Sequence, residues 1–271
     1  METYTFPRIG KLKVSEVTTA DVLAVLQPIW LEKPETARRV RQRLGTVMKW
    51  AVANGWRTDN PAEAISQALP KQTDTQQHRK ALPYDKVPEF LDVLKASNAN
   101  TITKLALELV ILTASRSGEV RLADWSEIDL DKALWTRPAH RMKSKKEHRV
   151  PLSPRTIELL SEAAKLGTGQ GLVFPGTVHG KPLSDMTLSK LTKALGYDVD
   201  VHGFRTSFKT WTQERTNTAR DVSEAALAHT VKDKAEAAYA RSDFFEKRRK
   251  LMDRWALWVK TPPSNVVLLN V

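Results

Sequence analysis

The sequence predicts a mainly α-helical protein of two domains that carries one small antiparallel three-stranded sheet. Three observations lead there. Apolar residues recur at spacings of three and four along most of the 271 residues, the period of a helix with one buried face. That rhythm gives way to alternation only between residues 126 and 152, as half-buried strands require. A polar stretch from Pro70 to Pro83, including Lys71-Gln72-Thr73-Asp74-Thr75-Gln76-Gln77-His78-Arg79-Lys80, offers nothing to bury and reads as a linker.

Residues 1–13 show no periodicity and are expected to form a short extended lead-in to a helical domain over 14–69. Thr18 or Thr19 can cap a first helix running through Asp21, Leu23, Leu26 and Trp30, with the acid in the first turn where the helix dipole favours it. The second helix starts near Pro34 and stops at Asn54-Gly55. Its two faces differ: Ala37, Val40, Leu44, Val47 and Ala51 form an apolar stripe, while Arg38, Arg39, Arg41, Arg43 and Lys49 crowd the remaining arc. Such an arc can lie along a phosphate backbone or simply face solvent. Asn60-Pro61 breaks the chain, and residues 61–69 read as a third helix.

The second domain, residues 84–260, opens with helices over 85–96 and 101–114. The latter is apolar on most sides and is expected at the centre of the core. It delivers Ser115-Arg116-Ser117-Gly118-Glu119, an arginine placed where a charge needs a partner, with a carboxylate one helical turn on. That pairing suits either a positioned functional guanidinium or a plain structural ion pair. Three strands follow, around Glu127 to Leu130, Ala133 to Thr136 and His148 to Leu152, with turns at Asp131-Lys132 and Ser144 to Glu147. Lys143, before the second turn, can swing into a neighbouring site or serve as an edge charge that discourages aggregation. Helices over 154–166, 184–195 (presenting Lys190 and Lys193) and 244–259 complete the domain. The tail, 261–271, carries Val266-Val267-Leu268-Leu269, too apolar to float free, and must dock in cis or on a neighbouring protomer.

The formal net charge is +12 with a pI near 9.8, which favours a polyanionic partner, nucleic acid above membrane. Cysteine is absent, so disulfide frameworks and thiolate metal sites are excluded. No apolar run approaches the roughly 18 residues of a membrane span and no leader opens the chain, so a soluble cytoplasmic protein is expected.

The chemistry concentrates between His202 and Tyr239. His202-Gly203-Phe204-Arg205, Ala228-His229 and Tyr239 supply two imidazoles, a guanidinium and a phenol. Arginine presents a fixed fork of donors to phosphate oxygens, histidine a proton mobile near neutral pH, and tyrosine an oxygen able to attack phosphorus. A covalent phosphotyrosine is the chemistry this set suggests, with no metal and no cofactor.

Taken in order, Arg116, Lys143, His202, Arg205, His229 and Tyr239 resemble the functional set of the tyrosine recombinase (phage integrase) family. The wording around Asp124-Trp125-Ser126-Glu127-Ile128-Asp129, Leu227-Ala228-His229 and Ala237-Ala238-Tyr239-Ala240-Arg241-Ser242 is similar to the integrases of P4-like prophages and genomic islands, from about residue 6 to 260. The resemblance implies a core-type DNA-binding domain followed by a tyrosine-recombinase catalytic domain. It implies Tyr239 as nucleophile leaving a 3′-phosphotyrosine and a free 5′-hydroxyl, and Arg116 and Arg205 as holders of the non-bridging oxygens. His202 and His229 would donate to those oxygens or move the phenol proton, Lys143 would protonate the leaving 5′-oxygen, and Glu119 would position Arg116. Placed cations of this kind can stabilise a phosphoryl transition state in the role metals fill elsewhere.

The implied partners are double-stranded DNA attachment sites, further copies of the chain as a homotetramer on DNA from a monomer in solution, and an excisionase or DNA-bending accessory proteins. The resemblance also implies an additional N-terminal arm-site domain ahead of the core-binding domain at which this sequence starts, the sequence being either part of a longer protein or a naturally short one; the implication carried over here is core-site binding and cleavage. Two other outcomes use the same residues: a type IB topoisomerase-like enzyme that recloses the strand it nicks, and a catalytically idle DNA-binding regulator.

Overall fold

The computed structural model of the chain describes residues 1–65, 68–72, 80–142, 144–178, 180–229 and 242–261. The chain divides into two compact units, Met1–His78 and Arg79–Val271.

The first unit is helical: α1 (Phe6–Ile9), α2 (Thr19–Trp30), α3 (Pro34–Ala53) and α4 (Pro61–Ala64). Thr18 caps α2 through a reciprocal box, its hydroxyl accepting from Asp21 N (3.2 Å) while the Asp21 carboxylate accepts from Thr18 N (2.9 Å). α3 begins on Pro34 and ends at Asn54, where Gly55 takes φ +72° to turn the chain away. Val22, Leu26 and Ile29 of α2 meet Ala37, Val40, Leu44 and Met48 of α3 in one core.

Three sequence expectations change here. Residues 6–9 are a helical turn, not an extended lead-in, because Ile9 is buried in this core and a turn of helix carries it inward. Met48 takes the place expected for Val47, which is 45% exposed, because it is Met48 that packs into the core shared with α2. The helix from Pro61 stops at Ala64 rather than Leu69, with Ile65 buried at its end. The first residues of the expected linker are anchored: Trp30 Nε1 donates to Pro70 O (2.7 Å) and the Gln72 amide donates to Trp30 O (2.6 Å).

The second unit is built round α6 (Thr101–Leu112), whose residues from Leu105 to Leu112 are all buried. Glu108 lies among them and is matched by a two-pronged bond from Arg155, at 2.8 and 2.9 Å. Around α6 lie α5 (Val87–Ala96), the short α7 (Ser117–Arg121), α8 (Pro154–Leu166), α9 (Thr187–Ala194), α10 (Gly203–Arg215), α11 (Arg220–Ala226) and α12 (Phe245–Lys260). The sheet has the expected order β1 (Ile128–Asp129), β2 (Leu134–Arg137), β3 (His148–Pro151), antiparallel throughout, with Trp135 opposite Val150 and Arg137 opposite His148. Trp135 and Arg137 share the inward face of β2.

α12 is fixed by Trp255, fully buried against Phe208 and Trp211 of α10, with its indole N–H on Ile111 O (2.8 Å). The chain entering this unit crosses the start of α10: Asp200 N donates to Lys80 O (2.9 Å), and a Cβ on Gly203 would stand 2.3 Å from that same oxygen. Only glycine fits between His202 and Phe204. Among the described residues no helix is long and apolar enough to cross a membrane.

Candidate active site

Two helix ends make the site. α6 closes through Ala114 (φ +47°), with Ser115 N on Val110 O and Ala114 N on Ile111 O, each at 3.2 Å. α11 closes in the same way through Ala228 (φ +49°), with His229 N on Glu224 O and Ala228 N on Ala225 O, each at 3.0 Å. Both are paired-bond caps turning on a left-handed residue, a conformation that glycine usually supplies. They set Arg116 just after one corner and His229 just after the other.

Arg205, on the first turn of α10 and only 4% exposed, lies between these corners. Its guanidinium donates to Ala114 O and to Leu227 O (2.6 Å), and Nη2 stands 3.2 Å from His229 Nε2. The carbonyl-rich ends of two helices thus offset a buried positive charge. Burial, followed by the nearby charge of Arg116, pulls the Arg205 pKa down to about 10, so the group stays charged at neutral pH.

Arg116 caps α7. Glu119 accepts from Arg116 N (2.8 Å) and from Arg116 Nη1 (2.7 Å), as the spacing of the two residues suggested. Burial works against ionisation of Glu119, yet Arg137 and the two Arg116 bonds outweigh it and hold its pKa below the usual carboxylate value. Arg137 was missed by sequence reasoning. Its guanidinium lies 4.1 Å from the Trp135 ring centre, with Nη1 on Glu119 (2.6 Å) and Nη2 on the Ser115 hydroxyl. A charged residue two places after a buried tryptophan on a half-buried strand was the available signal. His148, across the ladder from Arg137, is pushed down to about 2 by burial and then by Arg137, Arg248, Arg205 and Arg116. It is a neutral ring beside four guanidinium groups.

His229 faces a second unexpected group. Its Nδ1 is 2.6 Å from Glu224, which also accepts from Lys209 Nζ (2.6 Å). His202 sits immediately before α10, its carbonyl accepting from Arg205 N (3.1 Å). Lys143 and Tyr239 lie outside the described residues, as does the tail beyond Thr261. The structure therefore brings together Arg116, Glu119, Arg205 and His229, with His202 on the same turn as Arg205.

The expected DNA-facing cations are on α3 of the first unit and α9 of the second. On α3, Arg38 and Arg39 both pair with Glu35 (3.2 and 2.9 Å), and Lys49 pairs with Glu63 (2.7 Å). Arg43 is exposed and Arg41 partly so, while Lys190 and Lys193 are exposed on α9. No group of His, Asp or Glu suited to a metal ion occurs among the described residues.

Comparison with known proteins is consistent along the chain. Residues 80–246 match the phage integrase family and residues 1–68 the phage integrase central domain. The integrase of Enterobacteria phage P4 is 34% identical over 100% of this chain and 66% of its own length. Prophage integrase IntZ of Escherichia coli K12 is also 34% identical, over 94% of this chain and 63% of its own. The chain thus spans about two thirds of the length of these curated relatives. Among solved structures, a lambda integrase dimer bound to a COC′ core site has a TM-score of 0.60 at 20% identity, covering 80% of each chain. A lambda integrase tetramer bound to a Holliday junction has a TM-score of 0.61 at 20% identity, covering 81% of this chain and 66% of that one.

Proposed function

Because the chain belongs to the phage integrase family, with a central domain followed by a catalytic integrase domain, we propose that it is a site-specific DNA recombinase. It cleaves and rejoins duplex DNA through a 3′-phosphotyrosine. The observation that carries this reading is the convergence of Arg205, Arg116 and His229 on the two αL corners at Ala114 and Ala228. Two fixed guanidinium groups and an imidazole meet the need of a phosphoryl transition state for placed positive donors.

In this mechanism Arg116 and Arg205 hold the non-bridging oxygens of the scissile phosphate, and Tyr239 attacks phosphorus as its phenol loses a proton. Carboxylate oxygens only accept and guanidinium groups only donate. His229, between Glu224 at Nδ1 and Arg205 at Nε2, therefore carries its proton on Nδ1 and a lone pair on Nε2. That lone pair suits His229 to take the phenol proton, while His202 donates to a phosphate oxygen. Lys143 protonates the departing 5′-oxygen. A 5′-hydroxyl from the partner strand then reverses the step and completes the exchange.

The DNA partner is a pair of attachment sites, read in part by the basic faces carrying Arg38, Arg39, Arg41, Arg43, Lys49, Lys190 and Lys193, with four copies assembling on the paired sites. The enzyme would work where cellular DNA lies, in the cytoplasm. The test is Tyr239→Phe on a nicked suicide substrate: retained gel-shift binding with no covalent adduct is expected, and an adduct formed by the variant would remove Tyr239 as nucleophile. Relaxation of a supercoiled plasmid without strand exchange by the unmodified protein would redirect the reading to a nicking-closing enzyme.

A further inference from the structure

We propose that Glu224, held by Lys209, is a positioning residue of the strand-cleavage reaction: it selects the tautomer of His229 and so decides which ring nitrogen faces Arg205. This rests on the function proposed above. The Glu224 carboxylate accepts from Lys209 Nζ (2.6 Å) on one oxygen and stands 2.6 Å from His229 Nδ1 on the other. Lys209 also donates to the Ser223 hydroxyl (2.9 Å), which in turn donates to Arg220 O (2.8 Å), so the ammonium is fixed rather than free to swing. Burial opposes the charge on Glu224, and the bonds from Lys209 and His229 overcome it, keeping the carboxyl ionised. On the far side of the ring, Nε2 is 3.2 Å from Arg205 Nη2.

The chain of groups has one consistent proton arrangement. Lysine and arginine can only donate, and the carboxylate can only accept. The ring proton therefore sits on Nδ1, between ring and carboxylate, and the Nε2 lone pair points toward Arg205, where a phosphate held by that arginine would lie. With the opposite tautomer, an N–H would face the N–H of Arg205, and the base would be lost. A second-layer carboxylate that fixes an imidazole is general in proton-transfer sites. Here the backbone reinforces it, since the left-handed corner at Ala228 brings His229 N onto Glu224 O at the same time.

The sharpest test is Glu224→Gln, which is nearly isosteric but replaces two acceptor oxygens with one oxygen and one NH2. Lys209 demands the oxygen, so the NH2 faces Nδ1 and reverses the tautomer. Single-turnover cleavage of a suicide substrate is expected to fall by about 100-fold or more, since an imidazole held in the wrong tautomer costs up to about 10⁴ in a Ser-His-Asp site, with DNA affinity by gel shift unchanged. Adding Lys209→Met frees the amide oxygen to accept from Nδ1, so the double variant should cleave faster than Glu224→Gln alone. Nitrogen-15 shifts of the His229 ring report the tautomer directly: Nδ1–H in the unmodified protein and in the double variant, Nε2–H in Glu224→Gln.

A Glu224→Gln protein that cleaves normally, or a double variant slower than the single one, would overturn the proposal. An unchanged His229 tautomer would do the same. These results leave the nucleophile untouched, because loss of the adduct in Tyr239→Phe reads the proposed function separately.

Discussion

Arg137→Met tests whether the buried charges beside Arg116 act as one unit. The Arg137 side chain is 3% exposed and that of Glu119 10%, with 2.6 Å between Nη1 and the carboxylate. Methionine fills the stem volume and keeps a contact with Trp135, while Ser115 retains its hydrogen bond to Thr113 (2.6 Å). The loss is therefore mainly electrostatic. Removing one member of a buried ion pair costs about 3–5 kcal/mol. The low end, about 3 kcal/mol, applies here because Glu119 keeps both bonds from Arg116. In a unit of this size that corresponds to roughly 6–12 °C in Tm.

Urea denaturation followed by tryptophan fluorescence measures the loss, and Glu119→Gln with the double variant completes a thermodynamic cycle. The two single losses should not add, since the double variant leaves neither member of the Arg137–Glu119 pair charged and facing an empty partner position. Cleavage should also slow about tenfold, as Glu119 without Arg137 draws the Arg116 guanidinium more tightly to itself and weakens a donor whose complete removal costs about 10²–10³. An Arg137→Met protein within about 1 kcal/mol of the parent, or singles that add without coupling, would refute the buried-unit argument.

Two further outcomes follow from the same region. His148 has a folded pKa of about 2 against an ordinary value near 6.5, so the unfolded chain takes up a proton that the folded chain refuses, and stability falls as pH drops below 6.5. His148→Gln should remove roughly 2 kcal/mol of the loss between pH 7 and pH 5, a window above the titration of Glu119; parallel acid limbs for the two proteins would contradict this. Ala228→Gly relieves a left-handed residue at the end of α11 and should raise stability by about 1 kcal/mol, read by thermal melts; a lower Tm would mean that the corner is not strained.

The helices and the sheet were legible because their signals are periodic. The α6 run of apolar residues, the threonine cap with Asp21 in the first turn and the alternation across β2 each state a local geometry that tertiary packing did not reverse. Where the reading slipped, the cause was long-range. Phe6 to Ile9 is a weak local helix that forms because Ile9 has a core to enter, and the Pro61 helix stops early for a reason that spacing alone does not carry. Val47 and Met48 compete for one position, and only the partner helix decides between them.

The candidate site divides along the same line. Arg116, Arg205 and His229 were picked out by residue type and by resemblance to the family's set, and Glu119 could be paired with Arg116 because one helical turn separates them. Arg137 and Lys209 could not be found that way, because each acts through a partner on another element: Arg137 reaches across from β2 to α7, and Lys209 from α10 to α11. Glu224 precedes His229 by five residues on its own helix end, and only the left-handed corner at Ala228 brings the two side chains together. Supporting charges carry no sequence mark of their own beyond being charged where the pattern calls for an apolar or neutral residue. Arg137 is inward on a strand and Arg205 inward on a helix, and both are stable there because backbone carbonyls or carboxylates were already in place to receive them. The αL alanines at 114 and 228 are what put those carbonyls in place, so the backbone strain at the two corners and the charge buried between them are a single device: relieve the corners without keeping their geometry, and Arg205 loses the acceptors that let it remain buried and ionised.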